Sequence, residues 1–112
     1  MRNKKSLGIK ARVEKSGEEI LGFEISGHSG FAQRGEDIVC AAVSMNSIQT
    51  VNAIELFTTS QAEIDNRDGY LKYRLQNNSA EAQLLLKSFV MGLEMILQEY
   101  GKEYIQIEYK EV

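Results

Sequence analysis

Apolar and polar residues alternate in four short segments of the chain, which is typical of half-buried β-strands. The first segment runs from Leu7 to Glu14 and the second covers 21–25, with a turn signal at Ser16-Gly17 between them. Together they predict a β-hairpin. We expect its second strand to end at Ser26-Gly27, immediately before His28.

A second hairpin is predicted further along the chain. Residues 62–65 form a weak strand, Asn66-Arg67-Asp68-Gly69 is a strong turn signal, and residues 71–75 alternate clearly after it. Residues 104–109 alternate once more and predict a closing strand.

Two longer segments repeat their apolar residues every three or four positions, which predicts helices. Residues 38–57 contain neither Gly nor Pro, and Asp37 before them is a good N-cap, so the first helix should begin at Ile38. We expect the buried face of this helix to carry Ala41, Met45, Ile48, Val51 and Ile54.

The second helix is predicted to end at Gly101. At its start, Asn78 and Glu81 have the spacing of a capping box within a run of capping residues, Asn77-Asn78-Ser79. Its apolar face carries Ala82, Leu85, Phe89, Leu93 and Ile96.

The predicted order is ββαββαβ, in one domain over residues 1–112. It favours an α+β fold of two layers, with a five-stranded, mainly antiparallel sheet and both helices on one face. The other face should then be polar. The strands supply charged or polar residues for it: Lys10, Arg12, Glu14, Lys72, Arg74, Gln106 and Glu108.

The composition argues against several classes of function. A net charge of −3 and a pI of about 5.2 do not favour direct binding to nucleic acid or to a membrane surface. The one cysteine cannot form an internal disulfide, and the N-terminal residues alternate instead of forming the apolar run of a signal peptide. We therefore expect a cytoplasmic protein.

Candidate chemistry lies between residues 27 and 44, which include the only histidine and the only cysteine, His28 and Cys40. With Asp37 as N-cap, Cys40 is the third residue of the helix, near unpaired N–H groups and the positive end of the helix dipole. That environment favours a thiolate. His28 could accept its proton near neutral pH, and Ser44 lies one helical turn after the thiol.

Purely structural roles for these residues stay open. A single cysteine before two alanines is often a small buried side chain, and a single histidine is often structural. Asp37 could only cap the helix, and Ser44 could only pack. A metal site or other cofactor is not expected, because one His and one Cys cannot provide a zinc site without carboxylates or a second chain.

The segment Gly27-His28-Ser29-Gly30, followed by Asp37-Ile38-Val39-Cys40-Ala41-Ala42-Val43-Ser44, resembles the ribosomal-processing cysteine protease family, Prp. Weaker similarity extends over 52–54 and 81–84. The basic N-terminus ahead of the first strand departs from the family pattern, and we assign it no role.

The resemblance implies a small two-layer α/β fold in a bacterial, cytoplasmic, usually homodimeric endopeptidase. Such an enzyme removes the N-terminal extension of large-subunit ribosomal protein twenty-seven. Matched by motif position, the nucleophile is Cys40 and the catalytic histidine is His28, supported by Asp37 and Ser44. The glycines would let a mobile loop at 28–36 fold over an extended substrate; the predicted substrate-loop residues are Gly27, Ser29, Gly30 and Gly35.

The mechanism that follows is acyl transfer through an acyl-enzyme. Backbone N–H groups of the first helical turn, including that of Cys40, are expected as oxyanion donors. Two alternatives remain: a non-catalytic ribosome-associated binding module with Cys40 in its core, and a redox sensor that oxidises Cys40. An inert thiol would favour the module, and peroxide sensitivity without peptidase activity would favour the sensor.

Overall fold

The computed structural model describes residues 8–28 and 37–112, and within them the predicted order ββαββαβ is confirmed. The strands are β1 (Gly8–Ser16), β2 (Glu19–His28), β3 (Ala62–Arg67), β4 (Tyr70–Leu75) and β5 (Ile105–Glu111). The helices are α1 (Ile38–Phe57) and α2 (Ala80–Tyr100).

The five strands form one sheet in the order β3-β4-β2-β1-β5. Three neighbouring pairs are antiparallel, and β1 and β5 are parallel, so the sheet is mixed and mainly antiparallel. Both hairpins close with two-residue turns, because Ser16 pairs with Glu19 and Arg67 with Tyr70. The second turn is shorter than predicted: Asn66 and Arg67 belong to β3, and Gly69 supplies the positive φ of +72° that such a turn needs.

The inner sheet face and both helices share one core. Phe23 of β2 lies at its centre, with its ring centroid 5.2 Å from that of Tyr73 on β4 and 4.2 Å from that of Phe89 on α2. Gln83 of α2 also exchanges two hydrogen bonds of 2.8 Å with the backbone N–H and C=O of Ile20. These contacts hold α2 against the sheet.

The prediction for the buried face of α1 is confirmed for Ile54 and for Val51, which packs against the core, but it was wrong for the other three residues. Ala41, Met45 and Ile48 are exposed, and the buried residues are Val39, Val43, Ser47, Thr50 and Ile54. The hydroxyl of Ser47 donates to the carbonyl of Val43 at 2.7 Å, and that of Thr50 donates to the carbonyl of Asn46 at 2.8 Å. Because the helix itself satisfies these hydroxyls, they can be buried where apolar residues were expected.

The start of α2 also differs from its prediction. The N-cap is Ser79, whose hydroxyl accepts from the N–H of Ala82 at 3.1 Å, so Asn78 and Glu81 do not form a capping box. Gly101 follows the last helical residue, as predicted.

The outer sheet face carries the predicted charged residues, and their signs alternate across the strands. The register aligns one row of five: Asp65, Lys72, Glu24, Arg12 and Glu108. The guanidinium of Arg12 lies 3.4 Å from Glu24 and 3.6 Å from Glu108. Neighbouring strands therefore present opposite charges to one another, which favours this register.

Candidate active site

The start of α1 fixes the position of Cys40. Asp37 is the N-cap, as predicted, and its Oδ1 accepts a hydrogen bond of 2.9 Å from the backbone N–H of Cys40. Cys40 is thus the third residue of the helix, with a half-buried side chain next to the positive end of the helix dipole.

The same bond changes one expectation about the first helical turn. The N–H of Cys40 donates to the Asp37 carboxylate, and the N–H of Ala41 donates to the Asp37 carbonyl at 3.1 Å. The N–H groups of Ile38 and Val39 lie before them in the first turn and have no acceptor within the helix. They are the better candidates for oxyanion donors.

The end of β2 brings the backbone of His28 to the same region. At this end the strand is one residue longer than predicted, because it continues through Gly27 to His28, which pairs with Gly8 of β1. Gly27 has a φ of +92°, and a Cβ there would lie 2.6 Å from the carbonyl oxygen of Gly8. Gly27 is therefore needed for the close approach of two strands, and it lies in the sheet instead of in a loop.

A cleft of about 240 Å³, here called the proximal cleft, opens beside Cys40. Cys40, Ser44 and the buried Ser47 line it from α1. The floor is apolar and comes from the inner sheet face, and it consists of Ile9, Ile25 and Leu71. The cleft therefore combines a thiol at a helix N-terminus with room for an apolar group.

The opposite wall of the proximal cleft is the β3–β4 turn, which sequence reasoning did not assign to the site. Asn66, Arg67, Gly69 and Tyr70 line this wall. The N–H of Gly27 donates to the carbonyl of Gly69 at 3.1 Å, which joins the turn to the end of β2. The strong turn signal at 66–69 was visible in the sequence, but nothing local placed it beside Cys40.

Polar contacts hold this wall in place. Arg67 forms two hydrogen bonds of 3.2 and 3.1 Å with the Asp65 carboxylate, and its guanidinium lies 4.6 Å from the centroid of the Tyr70 ring. The Tyr70 hydroxyl donates to Glu24 Oε2 at 2.6 Å. That hydrogen bond to a carboxylate raises the pKa of Tyr70, because ionisation would place two negative charges side by side.

The structure therefore brings together several of the predicted site residues. Cys40, Ser44 and Gly27 line one cleft, and Asp37 is bonded to the backbone of Cys40. His28 directly follows the cleft-lining Gly27 in β2. Ser29, Gly30 and Gly35, with most of the predicted loop at 28–36, lie outside the described residues.

Residues 8–28 and 37–112 contain no cluster of three or more His, Cys, Asp or Glu side chains that could hold a metal ion. Neither helix in this part of the chain is long and apolar enough to cross a bilayer.

Known proteins resemble the chain over nearly its whole length. The family model described as cysteine protease Prp matches residues 8–106. The ribosomal processing cysteine protease Prp of Bacillus subtilis is 31% identical over 100 residues, which cover 82% of this chain and 89% of that protein. The Staphylococcus aureus protein of the same name is 36% identical over 89 residues, covering 77% and 83% respectively.

A solved structure agrees with the fold. The essential ribosomal processing protease Prp from S. aureus, crystallised in complex with a covalently linked product peptide, superposes with a TM-score of 0.87 and 32% identity. The match covers 91% of this chain and 99% of that one. The fold, the site and these relatives show that the chain belongs to the cysteine protease Prp family and is a cysteine peptidase.

Proposed function

We propose that the protein removes the N-terminal extension of large-subunit ribosomal protein twenty-seven, with Cys40 as nucleophile and His28 as general base. The proposal rests on the proximal cleft, where the only cysteine lies at a helix N-terminus beside the strand that ends in His28. The names of its relatives, which are ribosomal processing proteases, support the substrate.

The reaction is an acyl transfer in two halves. His28 takes the proton of the Cys40 thiol, and the thiolate attacks the carbonyl carbon of the substrate. The C–N bond breaks as the amine leaves with the proton from His28, and the acyl group stays on sulfur. Water, deprotonated by His28, then attacks the thioester and releases the carboxylic acid and the thiol.

Two groups around the thiol have supporting roles in this proposal. Asp37 holds the first turn of α1 and adds negative charge where an imidazolium would form. The N–H groups of Ile38 and Val39 stabilise the oxyanion, because the Cys40 N–H is already bonded to Asp37. Ser44, exposed on the cleft wall, contacts the bound peptide.

The working form in this proposal is a cytoplasmic homodimer in a bacterium. The helical layer supports dimerisation, because it leaves large apolar side chains exposed on its outer side. They include Met45 (65% exposed), Leu84 (69%), Met91 (58%) and Met95 (60%). Monomeric proteins rarely leave such residues uncovered in one layer, so a second copy is the partner we favour.

The test is incubation with the extended ribosomal precursor, with product masses read by mass spectrometry. We expect wild type to release a single N-terminal fragment, and Cys40→Ala and His28→Ala to slow the reaction by about three orders of magnitude or more. Ser16→Ala, a comparable truncation at the exposed end of β1, should cleave at the wild-type rate. Full activity of Cys40→Ala would refute the proposal.

A further inference from the structure

A second cleft, here called the distal cleft, lies further along α1 and has a volume of about 560 Å³. It lies between α1 and the β3–β4 hairpin, which also line part of the proximal cleft. Val51, Glu55 and Thr58 line it from the C-terminal half of α1, and Ile64 and Tyr73 line it from the β3–β4 hairpin.

One stripe of α1 connects the two clefts. The residues on this stripe recur at steps of three or four, so they share one helix face. In chain order they are Cys40, Ser44, Ile48, Val51, Glu55 and Thr58, of which the first three line the proximal cleft and the last three the distal cleft. The two clefts therefore lie along one face of α1, opposite the β3–β4 hairpin, and we call the strip of surface that runs through both of them the α1 groove.

The middle of the α1 groove has apolar walls that no part of the described structure covers. Ile48 on the helix side is 44% exposed, and Ile64 on the inner face of β3 is 48% exposed. A chain lying between them would remove both side chains from water, which would favour binding.

The far end of the α1 groove is negatively charged. Among the described residues that line the distal cleft, Glu55 is the only one with a charged side chain. Burial and, to a smaller extent, the Glu55 carboxylate raise the pKa of Tyr73 to about 12. Glu55 and Tyr73 line the same cleft, so the negative charge acts on its interior.

We propose that the α1 groove binds an extended segment of the peptide substrate, with a cationic group of that segment at Glu55. Helical rise puts Cys40 and Glu55 about 22 Å apart, and an extended chain at about 3.3 Å per residue covers that distance with about seven residues. The cationic group is a lysine, an arginine or the free amino terminus. The inference rests on the proposed function for the nature of the ligand.

The experiment measures binding separately from cleavage. Fluorescein-labelled peptides that span the cleavage site of the ribosomal precursor carry one lysine, moved stepwise along an otherwise uncharged sequence. Matched peptides carry methionine at the same positions. Their affinity for Cys40→Ala is measured by fluorescence anisotropy, and so is their affinity for Cys40→Ala combined with Glu55→Gln or with Glu55→Lys. Glu99→Gln, an exposed charge change on α2, is the matched control.

We expect lysine to improve Kd by about two- to five-fold at one position, six to eight residues from the cleaved bond, as for a partly exposed ion pair. The gain should disappear with Glu55→Gln, reverse with Glu55→Lys and persist with Glu99→Gln. A lysine preference that survives Glu55→Gln, or that is absent at every position, overturns the inference. Binding that depends on Glu55 without cleavage of the same peptides by wild type would support the groove and refute the proposed substrate.

Discussion

At the scale of single residues, Asp37 has two separable roles. It caps α1 through its bond to the Cys40 N–H, and its charge lies beside the nucleophile. Asn caps a helix as well as Asp does but carries no charge, whereas Ala provides neither a cap nor a charge. Substitutions at this one position can therefore divide the structural role from the catalytic one.

We expect Asp37→Asn to leave the free energy of unfolding within about 0.5 kcal/mol of wild type, and Asp37→Ala to lower it by about 1 kcal/mol. If the carboxylate supports an imidazolium, both variants should lose kcat/KM by at least about ten-fold. Denaturant unfolding and peptide cleavage give the two values. As a control, Ser79→Ala removes the cap of α2 and should lower the free energy of unfolding without changing kcat/KM. A wild-type kcat/KM in Asp37→Asn would mean that Asp37 only caps the helix and has no catalytic role.

At the scale of elements, α1 and α2 meet where Asn46 faces Gly92. Asn46 donates to the carbonyl oxygen of Phe89 at 3.0 Å, and a Cβ at position 92 would lie 2.7 Å from its Nδ2 atom. The glycine therefore leaves room for the Asn46 amide between the two helices. Because α1 carries Cys40 and one wall of the α1 groove, this contact also positions the site.

We expect Gly92→Ala to lower the free energy of unfolding by about 1 to 2 kcal/mol, since the clash outweighs the better helix propensity of alanine. Combining it with Asn46→Ala removes the obstructing side chain, so the double variant should be more stable than the sum of the two single changes predicts. Urea unfolding of the four proteins measures the coupling. Strict additivity would mean that the two residues do not compete for space.

The elements also show how far the sequence alone could lead. Hairpins, the start of α1 and the polar sheet face were predictable, because turns, caps and alternation depend on neighbours in the chain. The buried face of α1 was not, because Ser47 and Thr50 are polar by composition and bury their hydroxyls against helical carbonyls. A hydropathy pattern does not show that a buried hydroxyl has a hydrogen-bond acceptor in its own helix.

The candidate site was also predictable only in part. Cys40 at the start of α1 was predictable from Asp37 three residues earlier. The wall at 66–70 was not, since it reaches Cys40 only through the pairing of β4 with β2, where Tyr70 lies opposite Ser26. The groove leading to Glu55 depends on the same long-range pairing.

At the scale of the whole molecule, two tyrosines link stability to alkaline pH. Burial raises the pKa of Tyr73 to about 12, and burial together with a hydrogen bond to Glu94 does the same for Tyr109. The unfolded chain ionises its tyrosines near pH 10, so the folded state holds more protons between about pH 10 and 12. Their contribution to stability is full below pH 10 and is lost as the pH rises through that window.

We therefore expect the free energy of unfolding to fall between about pH 10 and 12, and Tyr73→Phe to make that fall shallower. Phe keeps the ring that stacks on Phe23, so the core contact survives the change. Tyr104→Phe, the same change at a half-buried tyrosine outside this pair, is the control. The same pH slope in Tyr73→Phe and wild type would contradict this assignment.

The parallel pairing of β1 with β5 has a consequence for synthesis of the protein. It joins Ile9 to Ile105, ninety-six positions apart, and Ile105 belongs to the core. While the chain is being translated, β1 has β2 on one side and an open edge on the other until residues 105–111 emerge. Contacts of such long range form late, so the thiol-bearing helix exists well before the sheet beneath it is closed. We therefore expect the sheet to reach its full stability only after β5 has left the ribosome.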